Sequence, residues 1–383
     1  MWNSIIGQEK VIELLKNALA SERVAHAYLF HGIDGVGKLA VALAFARALQ
    51  CAGCHEAEPC PSCKWALQLR HPDIQIMMPQ PSNADPEEVA ERIALLSQDE
   101  YAVVDFIRAP SLGRKNAPKS LRQAFYSTER INLELRNKMN MRPQQGRYRI
   151  AIILDIDTIH VRAANAFLKL LEEPGPDTVF IALTRRKDLL LPTILSRCQR
   201  IAFDNLAADV IARALQERKG IEANVSVTAA NMSGGSYSRA VELAENEDLR
   251  HDRERILNFL RFAFMQKIDQ QTALIEEFNQ TGRNRTKNLL ELLLNWMRDV
   301  SLYRTMGANA PIVNRDQHAE IARFCGNLGN ADLDAMIHLI EEARLLTESN
   351  VNTTLLLINL SLNLGQAMRG PHNGMLFKPL TTL

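Results

Sequence analysis

The stretch AYLFHGIDGVGKLAVALAFARALQ, residues 27–50, limits the architecture more than any other. A short apolar run ends in the glycine-rich GIDGVG, and an Ala/Leu-rich segment starts at Lys38. That order predicts strand, loop and helix, with the first N–H groups of the helix facing an anion. Gly32, Gly35 and Gly37 free the backbone to turn, and Lys38 supplies a cation. A loop of this kind that binds magnesium carries a Ser or Thr hydroxyl at the next position, where Leu39 stands. The stretch has the form of a phosphate cradle and lacks one ligand of the metal that accompanies phosphates.

The rest of the N-terminal half repeats the alternation. RYRIAIILDID (147–157) holds an unbroken apolar run from Ile150 to Leu154 and predicts a second buried strand. VRAANAFLKLLEE follows as a helix, with Ala164, Phe167, Leu168 and Leu171 on one face and Pro174 and Gly175 as its stop. DTVFIALT predicts a third strand, LLLPTILSRC a short helix and QRIAF a fourth strand. Strands alternating with helices predict a parallel α/β sheet covered on both faces. Beyond residue 206 the pattern is helical, with loops at 233–236 and 307–314. At 383 residues the chain has room for two or three domains.

Four of the six cysteines cluster in CAGCHEAEPCPSC, at Cys51, Cys54, Cys60 and Cys63. Two C-x-x-C pairs this close can present four thiolates tetrahedrally to one zinc ion. A disulfide needs an oxidising compartment that nothing else in the sequence suggests, and the doubling of the pair favours a metal over a redox dithiol. Four sulfur ligands leave no open position, so such a zinc is structural and His55 is not needed as a ligand. The net charge of +1 excludes nucleic-acid binding by bulk electrostatics and leaves only local contacts. MWNSIIGQEK has no apolar signal core, and the most apolar run, TTLLLINLSLNL (353–364), is short for a bilayer and broken by Asn359 and Asn363. A soluble, cytoplasmic chain is expected.

Between Pro79 and Gly146 the periodicity fades. Asp85, Pro86, Glu87 and Glu88 predict a helix start, with Asp as cap and Pro in the first turn. The run Phe106–Thr128 contains Arg108, Arg114, Lys115, Lys119 and Arg122 and no acid. It reads as a solvated surface loop, or as a contact for phosphates or an acidic partner.

Several features fall in one order: IGQE, HAYLFHGIDGVGK, the four cysteines, RHPD, an apolar strand, ANAFLKLLEEP, LPTILSRCQ and GGSYSRA. In this arrangement the chain resembles the bacterial DNA polymerase III clamp-loader subunits of the AAA+ superfamily, strongly over residues 1 to about 240. Near the end, ARLLTESNVNTTLLLINL resembles their helical collar. The resemblance implies an AAA+ α/β parallel-sheet P-loop domain over 1–206, an all-α lid over 207–248 and an all-α C-terminal collar over 249–383. The first would carry the zinc module (51–63) and an insertion at about 84–125, longer than the family usually has.

The hydrolysing members of that family, gamma and tau, need the metal-binding hydroxyl and two adjacent acids. Counted back from LLEEP at the family spacing, the acids would fall on Leu154 and Asp155, or with a one-residue slip on Asp155 and Ile156. Asp157 is two positions on from Asp155, so neither register gives two adjacent acids. With Leu39 both requirements fail, so the resemblance is to the non-hydrolysing delta-prime type. Gly32, Gly35, Gly37, Lys38, Asp155, Thr184 (as sensor 1) and Arg239 (as sensor 2) then form a degenerate nucleotide site in which Mg-ATP binds weakly or not at all. Arg197, in the Ser196-Arg197-Cys198 triplet, corresponds to the family's arginine finger, which acts on ATP held by a neighbouring subunit.

The partners implied are gamma/tau and delta subunits, the sliding clamp, and primed DNA reached through the complex, with no membrane. The chain would have no activity alone and would belong to a DNA polymerase holoenzyme. The alternative is a gamma/tau-type ATPase whose magnesium shell is completed differently. A zinc-dependent DNA-binding module would need basic and aromatic residues around the cysteines, where HEAEP is acidic. His31 and His160 read as ordinary core or loop histidines.

Overall fold

The computed structural model describes residues 2–51, 53–54, 58–106, 124–245, 248–280, 283–310, 312, 314, 317–347 and 351–377. The basic run from Arg108 to Arg122 and His55 lie outside them. The chain divides into two compact units, Met1–Glu242 and Leu243–Leu383. The lid expected over 207–248 falls in the first unit as far as Glu242.

In the first unit the elements run α1 (Glu9–Ala20), β1 (Ala27–His31), α2 (Lys38–Gln50), α3 (Pro61–Leu67), β2 (Ile74–Met77) and α4 (Pro86–Leu95). Next, α5 (Thr128–Arg130) passes through a π-helical stretch, Ile131–Arg136, into α6 (Asn137–Met139). Then come β3 (Arg149–Ile153), α7 (Val161–Glu172), β4 (Thr178–Thr184), α8 (Pro192–Leu195) and β5 (Gln199–Ala202). The helices α9 (Ala208–Lys219), α10 (Ala223–Met232) and α11 (Tyr237–Glu245) complete the series. As the sequence predicts, Asp85 caps α4 by accepting from the Glu87 N–H at 3.0 Å.

The strands form one five-stranded sheet in the order β2-β3-β4-β1-β5, every pairing parallel. Because side chains alternate along a strand, each strand feeds two cores. Tyr28, Phe30, Ile150, Ile152 and Ile181 face Leu15, Val41 and Phe45 of α1 and α2. Leu29, Ala151, Ile153 and Phe180 face Ile131, Leu135, Phe167 and Leu171 on the other side. Burial on both faces is what makes the strands read as continuous apolar runs.

The strand that sequence periodicity passes over is β2. Its four residues, IQIM, lie at the sheet edge half-buried and carry a glutamine, too short and mixed a run to show a period. Its place is fixed from the side by Asp73 of RHPD, which accepts from the N–H groups of Gln144 (2.8 Å), Gln145 (2.8 Å) and Gly146 (2.9 Å) and pairs with Arg149 at 3.5 Å. Burial opposes the charge on Asp73, but these donors outweigh it and hold the carboxyl below its ordinary range.

The second unit is helical among its described residues: α12 (Asp248–Met265), α13 (Ile268–Gln280), α14 (Arg283–Met306), α15 (His318–Asn327), α16 (Leu333–Leu346) and α17 (Thr353–Ala367). Phe259, Ile275, Trp296, Met297, Leu339, Leu360 and Leu364 are buried in it. At Gly365 the backbone of α17 approaches α12 so closely that a Cβ would stand 2.6 Å from the Ala263 carbonyl oxygen. Among the described residues no helix is long and apolar enough to cross a membrane.

Candidate functional site

β1 ends at His31 between β4 and β5, so the glycine loop lies beyond the carboxyl ends of adjacent parallel strands, where open α/β sheets take their ligands. Each of its three glycines has a close protein neighbour. A Cβ at Gly32 would stand 2.6 Å from the Phe203 carbonyl oxygen, and one at Gly35 2.3 Å from both the Ser236 and Ser238 hydroxyls. A Cβ at Gly37 would meet the Tyr101 hydroxyl at 3.0 Å. Lys38 is buried, with its Nζ donating to the carbonyls of Gly32 (2.6 Å) and Ile33 (2.8 Å) and lying 3.6 Å from the Asp34 carboxylate. Burial pushes the Lys38 ammonium below its usual range, while Asp34 and Asp155 oppose the shift. The ammonium is satisfied within its own loop.

Leu39 packs onto the α1/α2 side of the core and lines what remains of the cleft, together with Met78, Leu154 and Leu183.

β3 stops at Ile153, and Asp155 stands in the left-handed region at φ +44°, ahead of a 3-10 turn, Ile156–Thr158. Asp157 therefore sits on a turn rather than on an extended strand. Its Oδ1 accepts from Thr184 Oγ1 at 2.8 Å, its Oδ2 pairs with Arg186 Nε at 3.3 Å, and its charge is felt at Lys38. The Thr184 hydroxyl, expected as sensor 1, is thus engaged with Asp157. Asp155 lines the cleft; burial, then the carboxylates of Asp34, Asp157 and Asp105, push it up to about 6. Asp155 and Asp157 both act on Lys38, and they are not adjacent in the chain.

Arg239 lies half-buried in the first turn of α11, its N–H donating to Ser236 Oγ at 3.3 Å; the cleft is lined from that helix by Ser238 instead. Arg197, just beyond α8, is not part of the cleft lining. It donates to the Thr193 carbonyl at 3.0 Å and pairs at 2.7 Å with Glu172 of LLEEP, its side chain 36% exposed. His160 rests on the Phe125 ring, with centroids 4.7 Å apart, and His31 closes β1. The residue missed by sequence reasoning is Tyr101. Its only signal was the short apolar run Tyr101–Val104 in a segment without periodicity.

The Sγ atoms of Cys51, Cys54, Cys60 and Cys63 lie within 4.8 Å of one another, with Cys51–Cys54 at 3.3 Å and Cys54–Cys63 at 3.6 Å. Zinc–sulfur bonds of about 2.3 Å in a tetrahedron place sulfurs roughly 3.8 Å apart. The four cysteines, none in a disulfide, can therefore hold a metal ion of that size. Burial pushes the Cys63 thiol up, and its sulfur neighbours push it further. Cys60 stands at the N-terminal boundary of α3, with Pro61 in the first turn.

A parallel sheet with a glycine loop beyond an interior strand, and a helix start seated on that loop, defines an α/β protein of the P-loop type. Residues 7–207 match the family described as DNA polymerase III, delta subunit, and residues 247–366 match DNA polymerase III, delta subunit, C terminal; the chain belongs to this family of clamp-loader subunits. It is 27% identical to DNA polymerase III subunit delta' of Bacillus subtilis, over 93% of this chain and 96% of that one. It is 28% identical to the subunit delta' of Pseudomonas aeruginosa, over 87% and 89%. It is also 24% identical to the subunit tau of Bacillus subtilis, over 79% of this chain and only 50% of tau. The likeness to the delta-prime type thus extends over nearly the whole chain.

Proposed function

We propose that this chain is a non-hydrolysing, delta-prime-like stator of a bacterial clamp loader, which presents Arg197 to ATP bound by a neighbouring gamma/tau-type subunit. The observation that carries the reading is the self-satisfied Lys38 beside Leu39. No side-chain oxygen follows the lysine to hold magnesium, and the lysine has no unmet need for a phosphate. Arg197, by contrast, is one-third exposed and tethered to Glu172, itself half-exposed. An ion pair that open to water is worth roughly 0.2–1 kcal/mol, so a partner's phosphate can take the guanidinium over at little cost. With the delta subunit the assembly would open the sliding clamp and place it on primed DNA. The four cysteines would hold a structural zinc, closing a module outside the chemistry.

Arg197→Ala should leave folding intact and lower DNA-stimulated ATP turnover of the reconstituted loader by about tenfold or more, since a trans arginine contributes roughly 10³–10⁵ in related phosphoryl transfers. An unchanged rate would remove Arg197 from the mechanism. The motor alternative is checked by calorimetric titration with Mg-ATP: micromolar binding with turnover would replace the stator reading.

A further inference from the structure

We propose that residues Asp99–Phe106 are an internal strap that takes the place of a nucleotide, filling the cleft and pinning the ends of α9 and α11 to the glycine loop. The centre of the strap is Tyr101, buried against Gly37. Its hydroxyl accepts from the Ile6 N–H at 2.8 Å, its ring meets Tyr237 edge-on at 5.1 Å, and the Arg218 guanidinium lies over it at 5.1 Å. The two residues before it are paired with the last turn of α9, Glu100 with Arg218 at 3.6 Å and Asp99 with Lys219 at 3.1 Å. The residues after it anchor the other end. Val104 and Phe106 are buried in the same apolar cluster as Val36 and Val41. Arg92 covers the Phe106 ring at 4.4 Å and donates to the Asp105 carbonyl at 2.5 Å.

From the opposite side, the Tyr237 N–H donates to the Gly35 carbonyl at 3.0 Å. The N-terminal segment, the glycine loop, α9 and α11 would all have to part to admit a nucleotide, and one strap ties them together. In an enzyme that cycles nucleotide such contacts come and go with the ligand; here they belong to the chain. The inference deepens the stator reading of the cleft and is independent of Arg197.

Amide hydrogen exchange on the full chain tests it, comparing the wild type with Tyr101→Ala and with the charge-reversed pair Arg218→Glu/Lys219→Glu. Both variants should exchange about tenfold or more faster over α9, α11 and the loop Gly35–Lys38, with β1, β3 and β4 as protected as before. Where Tyr101→Ala loses protection throughout the sheet, the charge-reversed pair decides. Unchanged exchange over α9 and α11 in the charge-reversed chain overturns the proposal. So does micromolar binding of a fluorescent ATP analogue by the wild type. The Arg197→Ala assay is read on the assembled loader, so it can fail while the strap stands, and the reverse.

Discussion

Asp155 is a buried carboxyl that lines the cleft, and its raised pKa has a sign that can be worked out. Folded, it holds its proton up to about pH 6, against an ordinary value of 3.8. Between those values the folded chain binds more protons than the unfolded one, so its contribution to stability falls as pH rises through that window and stays low above it. Asp155→Asn should therefore stabilise the protein at pH 7.5, by up to about 3 kcal/mol, and change little below pH 4. Urea denaturation at both pH values checks this; equal effects at both would mean the residue is not the source. At this scale the sequence was legible where chemistry depends on residue type alone: the cysteine quartet, and Leu39 in place of a hydroxyl. It was not legible where the backbone decides. The left-handed turn at Asp155 brings Asp157 round to Thr184, and no strand pattern foretells that turn. Gly35, which reads as a phosphate glycine, is held to its identity by two serine hydroxyls about 200 residues further along the chain.

Among the elements, α3 shows how a helix too short to form alone is kept. Its seven residues lie below the length at which isolated helices persist. Cys60 and Cys63 bracket its start, and Ser62 Oγ is 2.8 Å from His71 Nε2. His71 Nδ1 accepts from the Asp73 N–H at 3.1 Å, so the proton sits on Nε2 and is donated to the serine. This joins α3 to β2 through Asp73. If the quartet binds zinc, a chromogenic chelator should recover one ion per chain, and its removal should melt α3 while β1, β3 and β4 remain folded. Circular dichroism with hydrogen exchange over residues 60–67 reads both. Loss of the whole sheet would instead make the metal part of the main core. The element order α2, α7, α8 and the interior strands followed from apolar runs and breakers. Edge strand β2 and the π-helical stretch did not, because they owe their form to neighbours such as Asp73 and the β3–β4 face.

For the whole molecule, one thing was not legible in advance: alternation predicted a parallel sheet but could not order its strands. Each unit has its own buried core, so a chain ending at residue 242 should fold by itself, with one cooperative transition in urea followed by both tyrosine fluorescence and circular dichroism. Non-coincident transitions would show that the first unit needs the second. The strand order also has a consequence for how the protein is made. β1 leaves the ribosome well before its neighbours in the sheet, β4 and β5, which end at Thr184 and Ala202. At roughly 5–20 residues per second, its two edges stay open for something like 10–30 s of synthesis. AYLFH is strongly apolar, and during that interval it is a segment for a chaperone to shield.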